Sequence, residues 1–184
     1  MSARSGVKVD VIRTSGEADV EAIAAIYAHH VLNGVGSFEI EPPSPDEMRN
    51  RRAALVARGF PHLVAIREGE VVGYSYAGPY RARAAYAGTI ESSVYVRADV
   101  VGRGIGKRLL QALIAACEAR GFRQMVAVIG DSDNLPSIRL HEQLGFRLVG
   151  VLRSVGYKHG RWLDTVLLQL ELGLGNRAPP GHAG

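Results

Sequence analysis

Val7, Val9 and Val11 alternate with Lys8 and Asp10, a period of two that predicts a short strand over Val7–Arg13. The period then lengthens. Apolar residues at 20, 23, 24, 26, 27 and 31 follow the spacing of a helix over Glu17–Leu32, which Ser15 is placed to open. An irregular loop from Gly34 ends at Pro45, where a second helix begins and runs to Arg58. His62–Arg67 and Val71–Tyr80, joined by Glu68-Gly69-Glu70, predict a hairpin, and Thr89–Arg97 predicts a further strand. A helix over Arg103–Arg120 buries Ile105, Leu109, Leu113 and Cys117 at intervals of four, and Gly121 ends it. Strand Gln124–Ile129 and helix Leu135–Leu144, stopped by Gly145, come next. Phe146–Val151 and Trp162–Leu172 form a closing strand pair around Lys158-His159-Gly160. The order βααβββαβαββ predicts an α/β chain in which helices cover the faces of a mixed sheet. Residues 1–6 and the tail from Gly173 are expected to fray.

The chain has 184 residues, no internal repeat and no linker, which predicts one domain with its own core. An apolar fraction of 47% and a charged fraction of 22% are ordinary for a globular protein. Net charge is +4 and the pI is near 9.5. There is no run of five Lys or Arg and no basic patch interleaved with aromatics, so small anionic ligands fit the excess better than nucleic acid. Cys117, the single cysteine, reads as a small core residue in a reducing compartment; the alternative is a reactive thiol. No apolar stretch approaches the ~20 residues of a membrane span, and the N-terminus lacks the apolar region of a signal peptide. A cytoplasmic protein is expected.

Candidate chemistry is densest between Tyr95 and Leu110. Glycines at 102, 104 and 106 connect a predicted strand to a predicted helix, with Arg97, Arg103, Lys107 and Arg108 around them. Such a loop leaves main-chain N–H groups free at a helix N-terminus, where the helix dipole also favours an anion. Cations in a first helical turn oppose that dipole unless an anion sits there. The segment therefore reads as a phosphate or pyrophosphate cradle, against the plainer reading of a tight turn. A Walker loop would need Ser or Thr after Lys107, where Arg108 stands, and a dinucleotide fingerprint has another glycine spacing.

That element order, the glycine loop after the fourth strand, and the Asn134-x-x-Ser137 and Leu144-Gly145-Phe146 segments after the fifth resemble the GNAT superfamily of acetyl-CoA-dependent N-acetyltransferases. The resemblance covers about Val7 to Leu172. Thr89-Ile-Glu-Ser-Ser-Val-Tyr-Val96, Arg139-Leu-His-Glu-Gln-Leu-Gly-Phe146 and Gly156-Tyr-Lys-His-Gly-Arg-Trp-Leu-Asp164 are similar to the phosphinothricin acetyltransferase branch. Members of that branch acetylate the α-amino group of glutamate- or methionine-like analogues such as phosphinothricin and methionine sulfoximine. The resemblance implies a single GNAT domain, acetyl-CoA as co-substrate, no metal and a homodimer. One position departs: Val101 stands where the superfamily's cradle usually begins with Gln or Arg, which removes a side-chain contact while the backbone amides remain.

Acetyl transfer needs a neutral amine, and free amines near neutral pH are mostly ammonium. Glu91 is the leading base. It lies in an otherwise apolar strand, where burial raises a carboxylate's proton affinity. The competing reading is a strand glutamate that faces water. By resemblance, Val94, Tyr95 and Val96 offer main chain to the pantetheine arm, one N–H also facing the thioester oxygen. Gly102, Arg103, Gly104, Ile105, Gly106 and Lys107 hold the pyrophosphate. Asn134 and Ser137 either cap the following helix or touch the pantetheine. His141 is either structural or the acid that protonates the leaving thiolate. Arg81 and Arg83 are spaced to pair with a substrate carboxylate or phosphinate, against a solvated basic loop. Ser92 and Ser93 belong to the acceptor side with Glu91, and Phe38 and Tyr86 either wall that pocket or simply pack. Two other readings stay open: a protein N-terminus or lysine as acceptor, and a non-catalytic acyl-CoA-binding module.

Overall fold

A computed structural model describes residues 11–181. Strand β1 spans Val11–Thr14, and what the alternating pattern predicts before Val11 lies outside the described residues. Helices α1 (Val20–Asn33) and α2 (Pro45–Ala57) lead to the antiparallel pair β2 (His62–Arg67) and β3 (Glu70–Pro79). Then come β4 (Thr89–Val96), α3 (Ile105–Ala119), β5 (Gln124–Gly130), α4 (Leu135–Glu142), β6 (Arg147–Lys158) and β7 (Arg161–Glu171). The seven strands form one sheet in the order β1-β2-β3-β4-β5-β7-β6. Every neighbour pair is antiparallel except β4 and β5, which run parallel. Among the described residues no helix is long and apolar enough to cross a membrane.

The periodicities become the two sides of the sheet. α3 turns Leu110, Leu113 and Cys117 onto Ile90, Met125, Ala127 and Leu168, a cluster that also takes in Val94. On the opposite face α1 buries Val20, Ile23, Ala24, Tyr27 and Val31 against Val64 and Tyr74, with Tyr76 and Tyr95 packed alongside. Successive strand residues alternate between faces. In β4 the even positions therefore meet α3, and Glu91, Ser93 and Tyr95 look toward α1 and α2. Burying a leucine or isoleucine side chain is worth about 1.5–3 kcal/mol, so these two clusters dominate folding.

Local chemistry sets the element ends, in places differently from expectation. Ser44 Oγ accepts the Glu47 N–H at 3.2 Å and Pro45 takes the first turn of α2. Ser15 does not open α1. A 3₁₀ turn over Glu17–Asp19 precedes the helix, and Asp19 accepts the Gly16 N–H at 2.6 Å. Ser15 is buried instead, its Oγ 2.9 Å from His62 Nδ1 and accepting Arg52 Nε at 2.7 Å. From Gly173 the chain, expected to fray, turns through Gly175–Arg177 and returns to the body. The Gly181 N–H donates to the Gly121 carbonyl at 3.1 Å, and Arg123 holds the Pro179 carbonyl.

Candidate active site

β4 and β5 are neighbours for only four residue pairs, from Thr89 with Gln124 to Ser92 with Ala127. Beyond that point the strands part. A cleft of about 720 Å³ opens between Ser93–Val96 on one strand and Val128–Gly130 on the other. That volume lies in the usual range of small-molecule sites. The main chain of β4 past Ser92 therefore has no partner strand on this side. His30 closes one flank, with Nε2 2.8 Å from the Val96 carbonyl.

The glycine loop forms the mouth of the same cleft. Gly102 (φ 78°) and Gly104 (φ 81°) are both left-handed, a conformation that favours glycine. A Cβ at either would meet nothing within 4 Å, so conformation and open approach, not crowding, require glycine there. Gly104 precedes α3 and no side chain caps the helix, which leaves its first amides directed at the cleft. Arg103 is exposed, and Lys107 Nζ lies 3.5 Å from Gln143 Oε1. Arg97 is not part of the cradle. Its guanidinium is held by Asp99 at 2.7 Å and Glu70 at 2.8 Å, so its charge is answered within the protein.

Glu91 sits at the fork, at the next-to-last paired position before the strands separate. It is half-buried, and burial pushes its carboxyl pKa above the ordinary value. On the same face, Tyr76 lies directly across from Ser93 on the neighbouring strand, and burial raises the phenol's pKa. Ser92 is on the other face: its Oγ, 3.5 Å from the Val126 carbonyl, points away from Glu91, as the strand period dictates.

Across the cleft, Asn134 Oδ1 accepts the Ser137 N–H at 3.4 Å and caps α4, and both residues line the cavity. His141 is 6% exposed, edge-on to Phe146, with Nδ1 2.8 Å from the Ser137 carbonyl. That contact requires a proton on Nδ1, which in the neutral ring leaves Nε2 as an acceptor. Burial also lowers the ring's pKa, so donating a proton to a thiolate would need an imidazolium that the site disfavours.

Arg81 and Arg83 lie on an exposed loop before β4. The Arg81 guanidinium rests 5.1 Å from the centroid of Tyr80, which meets Tyr86 edge-on at 5.7 Å. Phe38 packs against Gly156, where an added Cβ would come within 2.4 Å of its ring. Three cleft or fork residues escaped the sequence reading: His30, Tyr76 and Asp131. Asp131 is buried at φ 70° beside the cleft and pairs with Arg161 at 2.5 Å. A non-glycine residue held left-handed is a common mark of functional sites, but only coordinates reveal it.

Residues 24–146 match the acetyltransferase (GNAT) family. A phosphinothricin N-acetyltransferase of Alcaligenes faecalis is 49% identical over 178 residues, covering 97% of this chain and 89% of that protein. An L-methionine sulfoximine/L-methionine sulfone acetyltransferase of Pseudomonas paraeruginosa is 44% identical, covering 91% of this chain and 98% of its own. The crystal structure of a GNAT superfamily phosphinothricin acetyltransferase from Sinorhizobium meliloti in complex with AcCoA is similar at a TM-score of 0.91 and 44% identity. The match covers 94% of this chain and 93% of that one. A forked sheet, a glycine-lined helix start and likeness along nearly the whole length agree: the chain belongs to the acetyltransferase (GNAT) family.

Proposed function

We propose that the protein transfers the acetyl group of acetyl-CoA to the α-amino group of a small amino-acid analogue of the phosphinothricin or methionine sulfoximine type. One observation carries the reading: a half-buried carboxylate of raised pKa, Glu91, stands where β4 and β5 part, beside a cleft that leads to the glycine cradle. The cleft's residues fit an acyl-CoA. Open amides at Gly104–Lys107 suit a diphosphate, and the unpaired edge of Ser93–Val96 suits an amide-bearing arm.

Acetyl-CoA supplies an acetyl group activated as a thioester. Glu91 accepts a proton from the acceptor's ammonium and frees the nitrogen's lone pair for direct attack on the thioester carbonyl; the C–S bond breaks as the C–N bond forms, and the second proton that the nitrogen sheds reaches the departing CoA thiolate through water. A main-chain N–H of the unpaired β4 edge faces the charge that develops on the carbonyl oxygen. Arg81 and Arg83 hold the acceptor's carboxylate or phosphinate, and Tyr86 packs beside them. His141 orients α4 and is not required as an acid. Leu148, Val149, Leu152 and Val155 of edge strand β6, with Trp162 of β7, are exposed apolar surface. A second copy of this chain covers them in a homodimer, which light scattering on the eluting peak checks.

Thiol release from acetyl-CoA with a panel of phosphinothricin, methionine sulfoximine, methionine sulfone, natural amino acids and an N-terminal peptide tests the assignment. The expected outcome is turnover confined to the small analogues. Preference for the peptide would overturn it. Arg81→Ala combined with Arg83→Ala raises the acceptor KM and leaves the acetyl-CoA KM in place. A change in the latter alone moves these arginines to the donor site.

A further inference from the structure

The Gly156-Tyr-Lys-His-Gly160 segment has no part in that reaction, yet it carries a side chain in an uncommon setting. Lys158, at the end of β6, is 5% exposed, and lysines are almost never buried unless partnered. Its ammonium donates to the Ser37 carbonyl at 2.8 Å, in the loop that follows α1. His159, the next residue, brings Nε2 to 3.2 Å from the Gly34 carbonyl. Two glycines lie beneath the same loop. A Cβ on Gly130 would come within 2.0 Å of the Val35 carbonyl oxygen, and one on Gly156 within 2.4 Å of the Phe38 ring. The stretch 34–38 is thus seated at four points, on the end of β5 and on the β6–β7 hairpin.

Its other side is the cleft, which Gly34, Val35 and Gly36 help to line. The seat is also tied toward α2. Ser37 Oγ lies 2.9 Å from the Tyr27 hydroxyl, Tyr27 donates to Glu39 at 3.0 Å, and Glu39 accepts Arg51 at 2.6 Å. A loop with two glycines of its own, at 34 and 36, needs an external hold to keep one shape.

We propose that Lys158 is a positioning residue for the acyl donor: by holding the Ser37 carbonyl it fixes the 34–38 loop as a wall of the cleft and thereby sets donor affinity. The inference rests on the cleft being the acyl-CoA site. Glu91 lies on another element and keeps its surroundings when the wall loosens, so the chemical step is spared.

Calorimetric titration of the full chain with acetyl-CoA, beside steady-state rates, tests this. Lys158→Met keeps the stem and removes the donor, leaving a buried carbonyl unpaired; Kd for acetyl-CoA rises about tenfold while kcat at saturation changes less than about twofold. His159→Gly, which suits the left-handed backbone at that exposed position (φ 51°) and removes the ring, raises Kd about threefold. Amide exchange at residues 34–38 quickens in both. Unchanged Kd in both variants overturns the proposal, and so does a loss confined to kcat or to thermal stability. Wild-type protein that binds no acetyl-CoA would sink the reading of the cleft itself; wild-type binding with unaltered variants sinks only the role of Lys158.

Discussion

The face of the sheet under α3 and the face under α1 and α2 are made from the same strands, one residue apart, and obey different rules. Under α3, Ile90, Leu110, Leu113, Met125 and Leu168 are fully buried, and the serines among them, Ser75 and Ser92, turn their hydroxyls onto main-chain carbonyls. Under α1 and α2 the intervening positions are Tyr74, Tyr76, Glu91, Ser93 and Tyr95, with His62 stacked on Tyr74 and Tyr76 at 5.8 and 5.4 Å. Polar groups there end in a net that reaches Ser15, Arg52, Ser37 and Glu39. The net is not complete. Among the described residues, the Tyr74 hydroxyl is buried without a hydrogen-bond partner, at a cost of about 1–3 kcal/mol. Both faces carry apolar clusters, but the chemistry is gathered on one of them, and that side gives up some stability to hold it.

Substitutions that touch only one face put this division to the test. The largest effect belongs to Glu91→Gln, which lowers kcat by roughly 10²–10⁴-fold and spares acetyl-CoA affinity, as initial rates and titration will measure. The same change raises the melting temperature near pH 8. The folded carboxyl has a pKa above its unfolded value, so ionising it at higher pH disfavours the fold, and glutamine removes that charge. His141→Ala, by contrast, lowers kcat far less than Glu91→Gln does; equal losses would restore it as the acid.

Leu113→Ala breaks the other face. It costs about 2–5 kcal/mol in urea unfolding and leaves both KM values near their starting points. Next comes acid sensitivity. Ser15 Oγ lies 2.9 Å from His62 Nδ1, and the buried ring is held neutral, its pKa pushed down to about 4 by burial and by the nearby Arg52 charge. The folded ring binds a proton less tightly than the unfolded one. Stability is therefore full above about pH 6.5 and falls by about 3 kcal/mol as pH drops toward 4. His62→Gln flattens that part of the denaturation midpoint plotted against pH; an unaltered slope would remove His62 as its source.

The smallest effect is expected at Gly104→Ala. A left-handed non-glycine residue there costs roughly 1–2 kcal/mol and shifts the cradle, so acetyl-CoA binds about tenfold more weakly. Retained affinity in calorimetry would detach the glycine loop from donor binding.

Legibility in the sequence divides along the same line. Both helix stripes, at 20–31 and 105–117, were readable because a single period of 3.6 labels the buried side and apolar side chains fill it. Element order followed, since Pro45, Gly121 and Gly145 mark helix ends through backbone chemistry alone. The polar face was harder. Tyr74 and Tyr76 look like ordinary alternating strand residues, and nothing local says that one is sealed and the other meets Ser93 beside the base. Ser15 had the residue type of a cap but found a partner 47 positions away in His62, and Arg97 left the cradle for Asp99 and Glu70. Lys158 meets Ser37 across 121 positions, a distance no window on the sequence spans.

Four rungs of hydrogen bonding join β4 to β5, and the ladder stops. A zipper closed further, past Ala127, would gain bonds and lose the gap through which an acyl chain enters. Redesign for heat tolerance should therefore leave Ser93–Val96 and Val128–Gly130 unmated and seek its gains under α3, where added order has no passage to obstruct.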